Sequence, residues 1–164
     1  MVKAITEFDV VIPLPLAHCC LALSFEGPCL AAAEFVAADT PLRGPASTSQ
    51  EHVVNQIERY MSDPQQAFEF EACPSGTEFQ HRVWQALCEI PVGSTVTYGE
   101  LAEGLDSSAR AVGNACRDNP IPLLVPCHRV VAANGIGGFM GQRQGDEVSI
   151  KQALLQHEQQ AGRG

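Results

Sequence analysis

Three prolines in seven residues, Pro120, Pro122 and Pro126, constrain this chain more than any other feature. Each fixes φ at about −65°, removes a backbone donor and pushes the residue before it out of the helical region. The apolar run around them therefore reads as extended backbone that delivers Cys127 and then His128. A thiol attacks as thiolate, and a nearby imidazole can take its proton. Adjacency alone does not pair the two groups, because neighbours on a strand point to opposite faces. The competing reading for a single cysteine is a buried structural thiol, and it applies to Cys19, Cys20, Cys29, Cys73, Cys88 and Cys116.

Seven cysteines, two of them adjacent at 19 and 20, make a poor disulfide framework and fit a reduced, cytoplasmic protein. The start, with Glu7 and Asp9, lacks a basic-then-apolar export pattern, and no apolar run is long enough to span a bilayer. The net charge of −9 excludes binding to polyanions by bulk attraction alone. That charge is uneven: residues 1–72 hold three basic and ten acidic residues (−7), whereas residues 73–164 hold seven and nine (−2). The second part can therefore still turn a locally basic face to an anion.

The order of patterns predicts an α/β chain of two lobes, 1–73 and 74–164. In the first, apolar runs over 20–25 and 29–36 flank Glu26-Gly27-Pro28 and read as a hairpin. Thr48-Ser49-Gln50-Glu51 reads as a capping box opening a helix that stops near Pro64, and 68–72 as a short closing strand. Cys73-Pro74-Ser75-Gly76 marks the boundary. The second lobe reads as mostly helical. Thr77-Glu78-Phe79-Gln80 opens one helix, Thr97-Tyr98-Gly99-Glu100 a short one, and Asp106-Ser107-Ser108 caps another over 109–117. The last two, joined by a tight turn, have the shape of a helix-turn-helix. The second of them is built from Arg110, Ala111, Gly113, Asn114, Ala115 and Arg117, small or polar residues that allow close approach to another backbone.

Pro126-Cys127-His128-Arg129-Val130 resembles the active-site signature of the O6-alkylguanine-DNA alkyltransferases. The resemblance extends through Gly93-Ser94-Thr95-Val96-Thr97-Tyr98-Gly99-Glu100-Leu101-Ala102, residues 109–115, Asn134-Gly135, Gly137-Gly138-Phe139 and residues 151–158, so it covers about 77–158. It implies a small ribonuclease H-like sheet lobe followed by a helical lobe carrying the helix-turn-helix. It also implies repair of alkylated guanine, and of O4-alkylthymine, in double-stranded DNA by irreversible, single-turnover transfer to Cys127. By the same resemblance, His128 and Glu158 activate the thiol through a water and Asn119 braces the active-site segment. Tyr98 supplies a proton to the leaving guanine, and Arg110 fills the gap left by the rotated base. Gly99, Ala109 and Asn114 join Tyr98 and Arg110 as DNA contacts, while Pro122, Val130, Phe139 and Met140 border the pocket.

Base extrusion, costing roughly a few kcal/mol, is the physical requirement behind these roles, because the reacting oxygen is buried in a duplex. No cofactor is implied, and the chain is expected to act as a monomer away from membranes. Some members hold zinc in the first lobe, but His18, Cys19, Cys20 and Cys29 lack a ligand spacing, so no metal site is expected. Two departures stand out: Phe139-Met140 replaces an aromatic-small pair, and residues 141–147 make a longer segment than the compact form. A non-catalytic damage-binding protein of the same fold is the alternative reading, and the presence of Cys127 argues against it. A helix-turn-helix regulator would need a dimerisation or sensory segment. A Cys-His hydrolase would need an oxyanion hole, and no motif supplies one.

Overall fold

The computed structural model describes residues 8–140 and 146–161. The chain forms two compact units, Met1–Ser75 and Gly76–Gly164. Among the described residues no helix is long and apolar enough to cross a membrane.

The first unit is an antiparallel meander, β1 (Val10–Leu14), β2 (Cys19–Glu26) and β3 (Cys29–Val36), backed by α1 (Thr48–Ser62). The five residues of β1 carry too short a pattern to register as a strand in the sequence alone. Gly27, at φ +59°, makes the tight β2–β3 turn that few other residues adopt cheaply. Val53, Val54, Ile57 and Tyr60 form the buried face of α1. The helix is capped by Ser47, one residue earlier than the sequence pattern suggests. Ser47 accepts from the Gln50 amide, and the Gln50 side chain reaches back to Ala46 N.

The expected closing strand over 68–72 is a correction: only a single parallel bridge forms, Leu30 to Ala72. Its cause is local. The buried Gln56 side chain donates to Glu69 O and accepts from Glu69 N, so the segment is tied to α1 rather than to a sheet neighbour.

The second unit contains α2 (Glu78–Cys88), β4 (Val96–Thr97), α3 (Tyr98–Gly104), α4 (Ala109–Arg117), β5 (Val130–Val131) and α5 (Asp146–Ala161). Three polar caps start its helices where the sequence places them: Thr77 with a reciprocal Gln80, Thr97 to Glu100 N, and Ser108 to Ala111 N. The α3–α4 pair is the anticipated helix-turn-helix shape. Trp84 of α2 donates to Ala115 O at 2.9 Å and ties α2 to α4. A two-residue parallel ladder pairs Val96 with Val130 and Thr97 with Val131, joining the segments that carry Tyr98 and Cys127. On α5, Ile150, Lys151, Leu154, Leu155 and Glu158 form the buried face at helical spacing.

Candidate active site

The proline-rich approach to Cys127 is not extended throughout. The backbone turns at Leu123, which sits at φ +76° while buried, and Cys127–Arg129 form a 3-10 turn rather than a strand. Asn119 holds this shape: its Oδ1 accepts from Ile121 N at 3.0 Å and its Nδ2 donates to Val125 O at 2.9 Å. A left-handed non-glycine residue costs on the order of 1–3 kcal/mol, so a buried side-chain brace is what such a turn requires. Asn119 therefore ties the turn that precedes Cys127 at two points.

Cys127 is 3% exposed. Burial pushes its thiol up to about 11, against the opposing effects of Asn119 and the Lys151 charge. The resting group at neutral pH is therefore a thiol, and its proton must leave during attack.

His128 is fully buried, and its Nε2 lies 2.9 and 3.1 Å from the two oxygens of Glu158. With a carboxylate on that side, the neutral ring carries its hydrogen on Nε2 and leaves Nδ1 as the acceptor. Nδ1 has no hydrogen-bond partner among the described residues. Burial holds the imidazole pKa below its ordinary value, with Arg129 and Lys151 adding to the effect and Glu158 opposing it. The ring is therefore neutral at rest and able to accept a proton.

Glu158 is the hub. Burial alone would raise its carboxyl, but the hydrogen bonds from His128 and Arg129 and the Arg129 charge outweigh burial and hold it at about 2. Arg129 Nε and Nη2 donate to Glu158 Oε1 at 3.0 and 2.6 Å, and Nη1 donates to Ile90 O. Arg129 thus pairs with the same carboxylate that orients His128.

Tyr98 begins α3 and donates to Gly138 O at 3.4 Å. Burial, then the two thiols Cys116 and Cys127, push its phenol up to about 12, so it keeps its proton near neutrality. Gly137 is required beside it: its φ is +77°, and a Cβ there would lie 3.2 Å from the Tyr98 ring and 3.1 Å from Ala132 N.

Lys151 is a site residue that the sequence reading misses. It is fully buried, donates to Val130 O, Ile136 O and Gly138 O at 2.7 to 2.9 Å, and sits 5.8 Å from the Tyr98 ring centre. All three ammonium donors are used, and burial lowers its pKa to about 8. The available signal is position: a lysine in the apolar stripe of α5, seven residues before Glu158 on the same face.

Tyr98, Gly113, Cys116, Cys127, Gly138, Phe139 and Met140 line a cavity of about 310 Å³, with Arg110, Asn114 and Arg117 of α4 at its α4 side. Arg110, Asn114 and Arg117 recur at i, i+4 and i+7 and share one helix face. Phe139 and Met140 therefore border the pocket as expected, with Met140 in the left-handed region at φ +51°. Two expectations are corrected. Pro122 is buried in the turn bridged to Val125, and Val130 is buried in β5 with its carbonyl taken by Lys151, so neither lines the cavity. Gly99 and Ala109 lie exposed in the first turns of α3 and α4, outside its lining. The long segment expected after Met140 falls partly on 141–145, outside the described residues. No group of three or more His, Cys, Asp and Glu side chains is arranged to hold a metal ion among the described residues.

Residues 78–160 match the family model of the 6-O-methylguanine DNA methyltransferase DNA-binding domain. A methylated-DNA–protein-cysteine methyltransferase of Methanosarcina mazei is 48% identical over 109 residues, which is 65% of this chain and 66% of that protein. The chain thus spans a little under two thirds of that relative's length. The crystal structure of the Mycobacterium tuberculosis O6-methylguanine methyltransferase is similar over 92% of both chains, at 33% identity and a TM-score of 0.76. The structure of the M. tuberculosis protein in complex with DNA gives 32% identity and a TM-score of 0.73, again over 92% of both chains.

Glu158→Gln is expected to lower neutral-pH stability by about 3–5 kcal/mol, because it leaves the Arg129 guanidinium buried without a counter-charge. Since the folded pKa of about 2 lies below the ordinary 4.5, the carboxylate's contribution is complete above pH 4.5 and lost as pH falls towards 2. Urea unfolding at a series of pH values should show that acid loss in the parent chain and its reduction in the variant. Equal stability of the two at pH 7 would contradict this assignment.

Proposed function

Because the chain belongs to the 6-O-methylguanine-DNA methyltransferase family, we propose that it repairs DNA by moving an alkyl group from the guanine O6, or thymine O4, to its own Cys127. The carrying observation is the position of that thiol, together with the Tyr98 phenol, on the wall of a cavity of about 310 Å³.

The duplex hides the reacting carbon, so the nucleotide must be rotated into the cavity. Arg110 lies exposed on α4 next to the opening of this pocket, where a guanidinium can enter the gap in the base stack. Arg117, two turns further along the same face, adds a second cation for the phosphates. Its ion pair with Asp118 spans 3.6 Å between half-exposed groups and holds it only weakly. Gly99, Ala109 and Asn114 give these helices a low profile against the backbone of the nucleic acid.

In the transfer, the Cys127 sulfur attacks the alkyl carbon as its proton passes, through a water, to His128 Nδ1. Glu158 stabilises the imidazolium formed on the other side of the ring. The C–O bond breaks as the Tyr98 phenol delivers a proton to the departing base, which would otherwise leave as an unfavourable anion. The Lys151 ammonium beside the ring offsets the charge left on the phenolate. The product is a thioether. Sulfur bound to an alkyl carbon is a poor leaving group, so the thioether persists and each molecule reacts once.

Mass analysis after incubation with a duplex containing O6-methylguanine should show one methyl group per chain, located on Cys127 and stable on standing. Cys127→Ala should bind the duplex and acquire no methyl group. Methyl on another cysteine, or more than one guanine repaired per chain, would overturn the proposal. Binding with no transfer by the parent chain would favour a non-catalytic damage-binding role.

Arg110→Ala should slow repair within a duplex at least tenfold while leaving reaction with the free modified base little changed. That factor corresponds to about 1.4 kcal/mol of lost support for the extruded state. Equal slowing on both substrates would place Arg110 in the chemistry instead.

A further inference from the structure

On the outward side of the first unit, two thiols and two carboxylates converge without any part in the site described above. Cys29 opens β3 and Cys73 lies next to the bridge between Leu30 and Ala72. That bridge is fixed by Leu30 N to Glu71 O at 2.9 Å and Cys73 N to Leu30 O at 3.0 Å. Leu30 points into the core, fully buried, so residues one step from the bridge in each segment, Cys29 and Cys73, share the opposite side. The Cys29 thiol donates to Glu71 Oε2 at 3.7 Å, and the Cys73 thiol to Glu26 Oε2 at 3.7 Å. Glu26 is the register partner of Cys29 across the β2–β3 hairpin, so the carboxylate that meets the Cys73 thiol stands beside Cys29. Both thiols are partly exposed, so a small oxidant can reach them.

We propose that Cys29 and Cys73 are an oxidisable dithiol that closes to a disulfide and clips the last segment of the first unit onto β3. The oxidant is a small-molecule disulfide such as oxidised glutathione. Cys73, with its proton passing to water, attacks one sulfur of the oxidant and releases one thiol. Cys29 then attacks the Cys73 sulfur and releases the second. Two electrons and two protons leave the protein, and the oxidant becomes two thiols. The two residues lie diagonally across the Leu30–Ala72 bridge, so closing the bond draws β3 and the segment after Ala72 together there.

The surroundings set the character of the bond. Burial, followed by Glu26 and Cys29, pushes the Cys73 thiol up. Thiols that hold their protons firmly attack slowly but form disulfides that are hard to reduce, the opposite of an exchange catalyst. The closed form is therefore a stable clamp, slow to form.

The test uses the full chain with no substitution. It is incubated with oxidised glutathione, free thiols are then blocked, and the digest is mapped by mass spectrometry. A linked Cys29–Cys73 peptide pair, lighter by two hydrogen atoms than its separate parts, is expected in most molecules. The thermal midpoint should rise on oxidation and return with reductant, because the cross-link constrains the unfolded chain. In Cys73→Ser, Cys29 should instead carry a glutathione adduct, and the rise should vanish. Separate glutathione adducts on Cys29 and Cys73 in the parent chain, or both thiols recovered free, would overturn the inference.

Discussion

A carboxylate that is 1% exposed governs the second unit. Removing Glu158 from water would cost several kcal/mol were it not paired, and the pairing it receives decides the state of everything around it. Arg129 donates to both oxygens, at 2.6 Å to the nearer, which keeps the carboxylate ionised. His128 takes both oxygens, which fixes its tautomer and turns Nδ1 away from the glutamate. The same Arg129 anchors Ile90 O, so the charge network also locks the end of α2 to the turn carrying Cys127. Structure and reactivity thus rest on one buried anion shared between two cationic or potentially cationic neighbours.

The pairing also explains why the thiol waits. An unopposed Glu158 would draw a proton onto His128 and favour a resting imidazolium. Burial, with the Arg129 and Lys151 charges adding to it, instead outweighs Glu158 and holds the imidazole pKa down. Burial then keeps Cys127 and Tyr98 protonated as well. In the proposed transfer, such a site holds its protons until a substrate arrives to exchange them: one leaves the sulfur and another reaches the leaving base. Under the proposed single transfer, a thiol that stays protonated at rest is protected from wasteful reaction with other electrophiles. The overall charge of −9 does not conflict with DNA as partner, because ten of its acidic residues belong to the first 72 residues and the exposed arginines of α4 stand beside the cavity.

Much of this was legible in the sequence. The polar caps Thr77, Thr97 and Ser108 named the helix starts because one side-chain oxygen satisfying an orphan amide is a local event. Cys127, His128, Glu158 and Tyr98 were recognisable as a set, although no spacing rule predicts that a residue at 158 meets one at 128. Tertiary competition hid the rest. The prolines around residues 120–126 suggested extended backbone, but the Asn119 amide closes a turn there at the expense of strain at Leu123. The segment 68–72 had strand composition, yet Gln56 captured its backbone groups first. Lys151 escaped notice because a lysine is ordinarily a solvated residue, and only the carbonyls of Val130, Ile136 and Gly138, brought together by folding, make its burial tolerable.

The most direct test of a site that keeps its thiol protonated until attack is the pH dependence of Cys127 alkylation by iodoacetamide, followed on the Cys127 peptide by mass spectrometry. The rate is expected to climb through the alkaline range towards a midpoint near 11, with no reactive plateau at neutral pH. A plateau already complete at pH 7 would reveal a resting thiolate paired with imidazolium, and would contradict a site in which burial keeps both the thiol and the imidazole uncharged.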